Sequence, residues 1–463
     1  MIPLTLAEIA AAVGGRLDGP ARTVHATGIA THSGDVRPGD LFVAMRGLQA
    51  DGHAFVRDAF ARGAVAALVH RAVPKALGPI IKVRHTGKAL LALAAHYRHR
   101  LTAPVIVVTG SVGKTTTKEL LYHALGGAGV VACSPRSLNN HVGLPLSLLA
   151  ADASHRAIVL EVGGSAPGEI GRLAAAAQPR IAVMTVIGEA HLRGFGDLAG
   201  VARGKAEVLA ALPRDGVAFL NGDDPVLRAI GKMHGGDVRL YGTGPFAELR
   251  GADVDRTDDG LALTCLGERF AVPFLSPVHA NNLIAAIGVV HELGVPLPVA
   301  ARRLRAFRPA DHRLTRQRVG PFVVLDDAYN SNPVSARAGL AELAATPAPR
   351  RVAVLGEMLD LGSHAPRCHR EVGEAVAAAR VDACLGVGPS MRLTLAASQA
   401  PVQHHYDDTA ALCAALPGLL RPGDAILVKA SRAWAFERVV ETIRRSVPRS
   451  GIHSAVVPAG ATA

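Results

Sequence analysis

Residues 105–118 read VIVVTGSVGKTTTK, and their reading decides the fold. Val105 to Val108 is a β-branched apolar run, the signature of a buried parallel strand. It passes directly into Thr109-Gly110-Ser111-Val112-Gly113-Lys114-Thr115, and a helical pattern follows from Thr116. A strand, a glycine-rich turn and a helix N-terminus together make an anion site. Backbone N–H groups converge there, and the helix dipole favours negative charge. Gly110, Ser111, Gly113, Lys114, Thr115 and Thr116 are therefore candidate phosphate contacts. Lys114 can reach the outer phosphates, and the Thr115 hydroxyl can hold Mg²⁺. The longer form G-x-x-x-x-G-K-[ST] needs glycine at 108, where this chain has Val108, so the match is the shorter G-x-x-G-K-T.

The composition is that of an enzyme with sizeable cores. At 463 residues the chain is long for one domain. It is 49% hydrophobic but only 4% aromatic, so its cores must be built mainly from Ala, Val and Leu. No apolar stretch reaches the roughly 18 residues of a membrane span. The N-terminus lacks the early basic region of a signal peptide, and Thr5-Leu6-Ala7-Glu8 reads as a capping box opening a helix. The five cysteines are scattered and never in C-x-x-C spacing, which argues for reduced thiols, a cytoplasmic location and no zinc site. The formal charge is +12, yet no basic run interleaves with aromatics. That points away from nucleic acid and toward a phosphate-rich small substrate. Only eight of the 50 basic residues are lysines, so a lysine at a motif position, such as 114, 118, 205 or 429, carries weight.

Three segments are legible. Residues 1 to about 84 form a small α/β unit without a nucleotide motif, with a strand around Asp40–Ala44, a helix at about 53–62 and a strand at Val65–Val69. Residues 85 to 311 alternate strand and helix, with apolar strands at 105–109, 157–162 and 180–187. This pattern predicts a doubly wound parallel sheet. Residues from 312 to the end begin a second α/β series, with strands at Phe322–Asp326, Arg351–Leu355, Ala383–Val387 and Ala425–Lys429. The last dozen residues, with Pro458 and Gly460, read as a frayed tail.

Several polar residues stand where such sheets bind ligands, at the C-terminal ends of strands. Glu161 ends the strand Ala157–Leu160 and is a candidate Mg²⁺ ligand. His191 follows Ile181–Val186 and is a candidate ligand for a second metal. Asn139 and Asn140, in the NNHVG loop, either hold a polar substrate or form an Asx turn before a helix. Asp326 and Asp327 follow an apolar strand as paired acids that can bind a ribose, a metal or an amine. Val428-Lys429-Ala430-Ser431-Arg432 ends the last strand and reads as presenting two cations to the same edge.

Together these stretches resemble the Mur ligases of peptidoglycan synthesis. The resemblance rests on RPGDLFVA (37–44), DGH (51–53), TGSVGKTTTK, NNHVGLPLSLL (139–149), EVGGSAPGEI (161–170), AHLRGFGDLAGVARGKAEVL (190–209), DDAYNSNP (326–333), VLGEMLDLG (354–362) and VKASR (428–432). It spans nearly the whole chain. It implies three domains: a UDP-sugar domain (1–84), a central ATP-binding domain (85–311) and a Rossmann-like α/β acceptor domain (312–463). It also implies ATP-dependent amide ligation through an acyl phosphate. Its best fit within the family implies UDP-N-acetylmuramoyl-tripeptide as donor and D-alanyl-D-alanine as acceptor. The alternative is a family member joining a different amine to a different peptide or amino acid. The resemblance further implies a monomer using ATP and Mg²⁺, with Thr115 and Glu161 on the first ion and His191 on the second. Lys205 would be carbamylated to anchor that second ion, Asn282 would read adenine, and Arg313 would meet the γ-phosphate. Asp327 would contact the ribose. Asn330, Asn332, Asp360, Ser431 and Arg432 become candidates for the acceptor, and Asn139 and Asn140 for the substrate. The chain departs from the family pattern at His32-Ser33-Gly34, at Gly164-Ser165-Ala166 and at Pro277-Val278-His279-Ala280.

Overall fold

The computed structural model describes residues 1–18, 21–47, 50–74, 77–257 and 259–447. The tail with Pro458 and Gly460 lies outside the described residues. Contacts divide the chain into two compact units that do not follow it in simple order. One holds Met1–Val186, Ala202–Arg250 and Asn282–Leu304; the other holds Ile187–Val201, Gly251–Asn281 and Arg305 onward.

The first unit contains two principal sheets. Near the N-terminus a five-stranded sheet runs in the order Arg16–Asp18, Ile80–Lys82, Ala66–Val69, Asp40–Val43, Gly28–Ala30. Only the first pair is antiparallel. The helix Leu6–Ala12 opens at Thr5, whose hydroxyl accepts from Glu8 N while Glu8 returns to the Thr5 backbone, the capping box that the sequence announces. Tyr97 is fully buried; its hydroxyl accepts from Ile2 N at 2.7 Å and donates to Ala151 O at 2.6 Å.

The nucleotide-motif strand Val105–Thr109 lies inside the second, parallel sheet. Its neighbours are Ala157–Glu161 and Ile181–Met184; beyond these run Val131–Cys133 on one side and Val217–Asn221, then Asp237–Gly242, on the other. All five of its residues are buried, as β-branched side chains covered on both faces must be. The chain leaves Val105–Thr109 toward one edge and later crosses to Ile181–Met184 on the other side. That reversal opens a crevice at the strands' carboxyl ends, where open α/β sheets bind ligands. Register sets Glu161 beside Val108 and Met184 beside Thr109, so the residues that follow share one edge.

The second unit has a six-stranded sheet in the order Thr315–Val319, Phe322–Asp327, Asp424–Lys429, Arg350–Gly356, Ala383–Val387, Val402–Tyr406. Only the first pair is antiparallel. Val324, Val352, Leu385, Ile426 and Phe436 fill its core. The unit also holds the antiparallel pair Gly260–Cys265 and Glu268–Pro273, which the sequence reading of a purely parallel middle segment did not contain. The turn between them is Leu266-Gly267, both with positive φ (52° and 78°). Such hairpin turns usually announce themselves as Asn-Gly or Asp-Gly, and leucine in the first place hides the signal.

Candidate active site

Gly110 and Gly113 make the phosphate loop possible. Gly110 has φ 140°, and an added Cβ would come within 2.1 Å of Thr185 Oγ1. Gly113 has φ 87° as N-cap of the helix Lys114–Leu125, and a Cβ there would meet Asn282 Oδ1 at 2.5 Å. Only glycine fits both positions. The loop is tied down by Ser111 N donating to Val186 O at 2.8 Å and by Thr185 Oγ1 donating to Val112 O at 2.5 Å. Lys114 Nζ folds back to donate to Gly110 O at 2.8 Å, and Thr116 lies half-buried in the helix's first turn. Asn282, 177 positions from the start of the phosphate-loop strand in sequence, thus leans directly on the loop.

Thr115 and Glu161 meet as expected. Thr115 Oγ1 donates to Glu161 Oε2 at 2.8 Å, and Glu161 is almost wholly buried. Two further groups complete this cluster. Asn139 Nδ2 donates to Glu161 Oε1 at 2.7 Å, and the Ser137 hydroxyl lies 3.2 Å from that of Thr115. Asn140 resolves into the other reading of its loop: its Oδ1 accepts from Val142 N and Gly143 N, an Asx turn opening the helix Gly143–Leu149. Ser137 carried no sequence signal. Lys118 carried one, as a rare lysine in the motif, but its role is structural. It is fully buried, and its Nζ donates to Ser134 O and Arg136 O, each at 2.6 Å, pinning the loop that carries Ser137.

Lys205 joins the same cluster. It is 1% exposed, and its Nζ donates to Gly164 O at 3.2 Å. Burial, reinforced by the nearby Lys114 charge and opposed by Glu169, Glu161 and Glu207, lowers its ammonium to about 7. That shift favours the uncharged, nucleophilic amine.

In the second unit, His191 is the N-cap of the short helix Leu192–Phe195 and sits in the left-handed region at φ 55°. That conformation costs a non-glycine residue about 1–2 kcal/mol. Its Nδ1 lies 3.6 Å from Asp360 Oδ2, and Asp360 is itself left-handed at φ 61°.

The two acids Asp326 and Asp327 do not act as a pair. Side chains alternate along a strand, so consecutive residues diverge. Asp326 faces His312 Nδ1 at 2.9 Å, and that hydrogen bond raises the imidazole. Asp327 instead accepts from Lys429 Nζ at 2.5 Å, and Lys429 also donates to Asn330 O at 2.8 Å. Burial pushes the Asp327 carboxyl up and the Lys429 ammonium down, each against the attraction of the other. Lys429 is thus no surface cation, contrary to the reading of VKASR as two presented charges. Its strand is covered on both faces, so its side chain turns inward to the one carboxylate that compensates it. Arg432 alone of the two is exposed. Arg313 stacks on the Tyr329 ring at 3.8 Å, with Arg432 at 5.5 Å from the same ring.

Two acceptor candidates turn out to hold the framework. Asn332 is the N-cap of Pro333–Ala345, its Oδ1 accepting from Ser335 N at 2.9 Å in a reciprocal capping box. Ser431 is buried, accepts from Leu359 N at 2.9 Å, and so ties the last strand to the 357–362 loop. Asn330 and Arg432 are exposed.

Comparison with known proteins finds similarity along most of the chain. Residues 25–98 match the Mur ligase family catalytic domain, 108–290 the Mur ligase middle domain and 312–432 the Mur ligase glutamate ligase domain. The chain is 33% identical over 462 residues to the UDP-N-acetylmuramoyl-tripeptide–D-alanyl-D-alanine ligase of Bacillus subtilis, covering 96% of this chain and 99% of the relative. It is likewise 33% identical to the ligase of that name from Escherichia coli, again covering 96% and 99%. Among solved structures it is similar to a MurF of Acinetobacter baumannii, with TM-score 0.85, 28% identity and coverage of 95% and 99%. A MurF ligase of Thermotoga maritima in complex with ADP gives TM-score 0.79 and 28% identity over 90% of this chain and 97% of that one.

Proposed function

The chain belongs to the Mur ligase family, and from that premise we infer that it is the ATP-dependent ligase joining D-alanyl-D-alanine to a UDP-N-acetylmuramoyl-tripeptide. The observation that carries the reading is the meeting of the phosphate loop with Thr115, Glu161 and Lys205 in a chain whose close relatives bear that name end to end. We propose Gly110–Thr116 as the triphosphate cradle, with Lys114 compensating the charge that develops as the γ-phosphoryl group moves to the donor's carboxylate. The acyl phosphate so formed carries a good leaving group, and the acceptor's neutral amine displaces it. Asn282 is our adenine contact; Arg313 and Asp327 are further nucleotide contacts, supported by the family resemblance.

Hydroxyl and carboxylate oxygens on Thr115 and Glu161 are hard donors that suit Mg²⁺. A bound Mg²⁺ supplies neutralisation of the charge between triphosphate and carboxylate. His191 and a carbamylated Lys205 are the proposed ligands of a second ion; the lowered ammonium of Lys205 supports the carbamate, because only the free amine adds CO₂. Asp360, Asn330 and Arg432 remain the proposed acceptor contacts. Of the proposed boundaries, the one at about 311 agrees with the family matches 108–290 and 312–432, whereas the N-terminal match, 25–98, runs past 84. A cytoplasmic site of action is supported by five free cysteines, and no described helix is long and apolar enough to cross a membrane.

Phosphate release with UDP-N-acetylmuramoyl-tripeptide and a panel of amines tests the reading. Release that depends on D-alanyl-D-alanine is expected. Release with another amine and none with this dipeptide would transfer the chain to a differently specific ligase.

A further inference from the structure

Glu189 and its partners have no part in the reaction as described so far. In the second unit its carboxylate faces arginines from two helices. Arg367 Nη2 donates to Oε1 at 2.7 Å, and Arg337 Nη2 lies 3.6 Å from Oε2. Arg367 also donates to Glu371 at 2.5 Å, one turn along the helix Ala365–Ala378. Glu189, Cys368 and Glu371 bring their ligand atoms within 4.8 Å of one another, an arrangement a metal ion could share. Two features decide against metal. Both carboxylates already face guanidinium groups, and burial pushes the Cys368 thiol up to about 11, away from the thiolate a metal needs. The cluster is an ion-pair latch.

What the latch holds is the loop that carries His191. Around it the same loop is gripped at three other points. Gly188 packs so close to Val334 that an added Cβ would come within 2.3 Å of Cγ2. Arg193 N donates to Asp360 O at 2.9 Å, and His364 Nε2 pairs with Gly196 O at 2.9 Å. His191 and Asp360 both hold left-handed backbone, which persists in non-glycine residues only where the surroundings over-determine it. We propose that Glu189, clamped by Arg367 and Arg337, is a positioning residue that fixes the backbone and imidazole of His191 for the ligation. The role in ligation rests on the reading of His191 as a ligand of the second Mg²⁺; the clamp itself does not.

The test uses E189Q in the full-length protein. Arg337 Nη1, 3.8 Å from Glu371 Oε2, keeps its partner in this variant, so the two helices keep their own tie. Hydrogen exchange over residues 189–196 should quicken by about fivefold, the scale of one partly exposed charge pair. The Mg²⁺ concentration for half-maximal phosphate release should rise in parallel. The swap E189R/R367E, which keeps two charges of each sign in the cluster, should restore both. In the wild type 1 M NaCl should reproduce the exchange effect. Unchanged exchange in E189Q, or a swap that restores no protection, overturns the latch. Faster exchange with an unchanged Mg²⁺ requirement overturns the positioning role and assigns the fault to the reading of His191.

Discussion

Replacing Lys429 by methionine isolates the cost of one buried charge. Methionine keeps most of the stem's volume, so the core around it stays filled. What is lost is the hydrogen bond at 2.5 Å to Asp327 Oδ2 and the one at 2.8 Å to Asn330 O. Lys429 is 1% and Asp327 9% exposed, so water cannot take over either contact. Removing one partner of a buried pair typically costs about 3–5 kcal/mol, because the other charge is left uncompensated. For a unit of this size that is a fall in Tm of about 10 °C. The chain's one tryptophan, Trp434, packs against the core of this same unit and reports its unfolding by fluorescence. A second signature follows from linkage. In the variant the Asp327 carboxyl stands above its unfolded value, so the folded state binds more protons and acidification should restore stability until the unfolded carboxyl itself titrates near pH 4. The double variant K429M/D327N should regain much of the loss at neutral pH, since no charge remains to bury. A K429M protein within 1 kcal/mol of wild type, with no gain on acidification, would refute the reasoning.

Lys205→Arg should lower the rate by at least roughly 10²-fold, since arginine keeps its positive charge and cannot form a carbamate; CO₂-free buffer should slow the wild type and leave the variant unmoved. Asn332→Ala should cost about 1 kcal/mol of stability as a lost N-cap while leaving the dipeptide KM unchanged, read by chemical denaturation and steady-state kinetics. Burial lowers His279 to about 4 from its ordinary 6.5, so the unfolded chain binds the extra proton first. Stability should be fully present above pH 6.5 and fall by roughly 3 kcal/mol toward pH 4, and His279→Asn should flatten that slope.

Local chemistry made much of the molecule legible in the chain alone. A β-branched run ending in G-S-V-G-K-T specifies strand, turn and anion-binding helix end within fifteen residues, and Thr5–Glu8 specifies a cap within four. Both depend only on neighbours in sequence. Glu161 was legible because a strand's last residue must emerge at the sheet's carboxyl edge. Tertiary structure decided the rest, wherever a side chain's partner is remote. Whether Asn139 or Asn140 served the site depended on which one faced Glu161 from a loop 22 residues away. Whether Lys429 was a presented cation or a buried one depended on Asp327, 102 positions earlier. Lys205 and Lys118 are the same residue type in the same unit, both buried. Lys118 is ion-paired with Glu119 and bonded to two carbonyls, whereas at Lys205 burial and the like charge of Lys114 outweigh Glu169, Glu161 and Glu207. A lysine's charge is set by what surrounds it in space, and a sequence does not state that until the chain has folded.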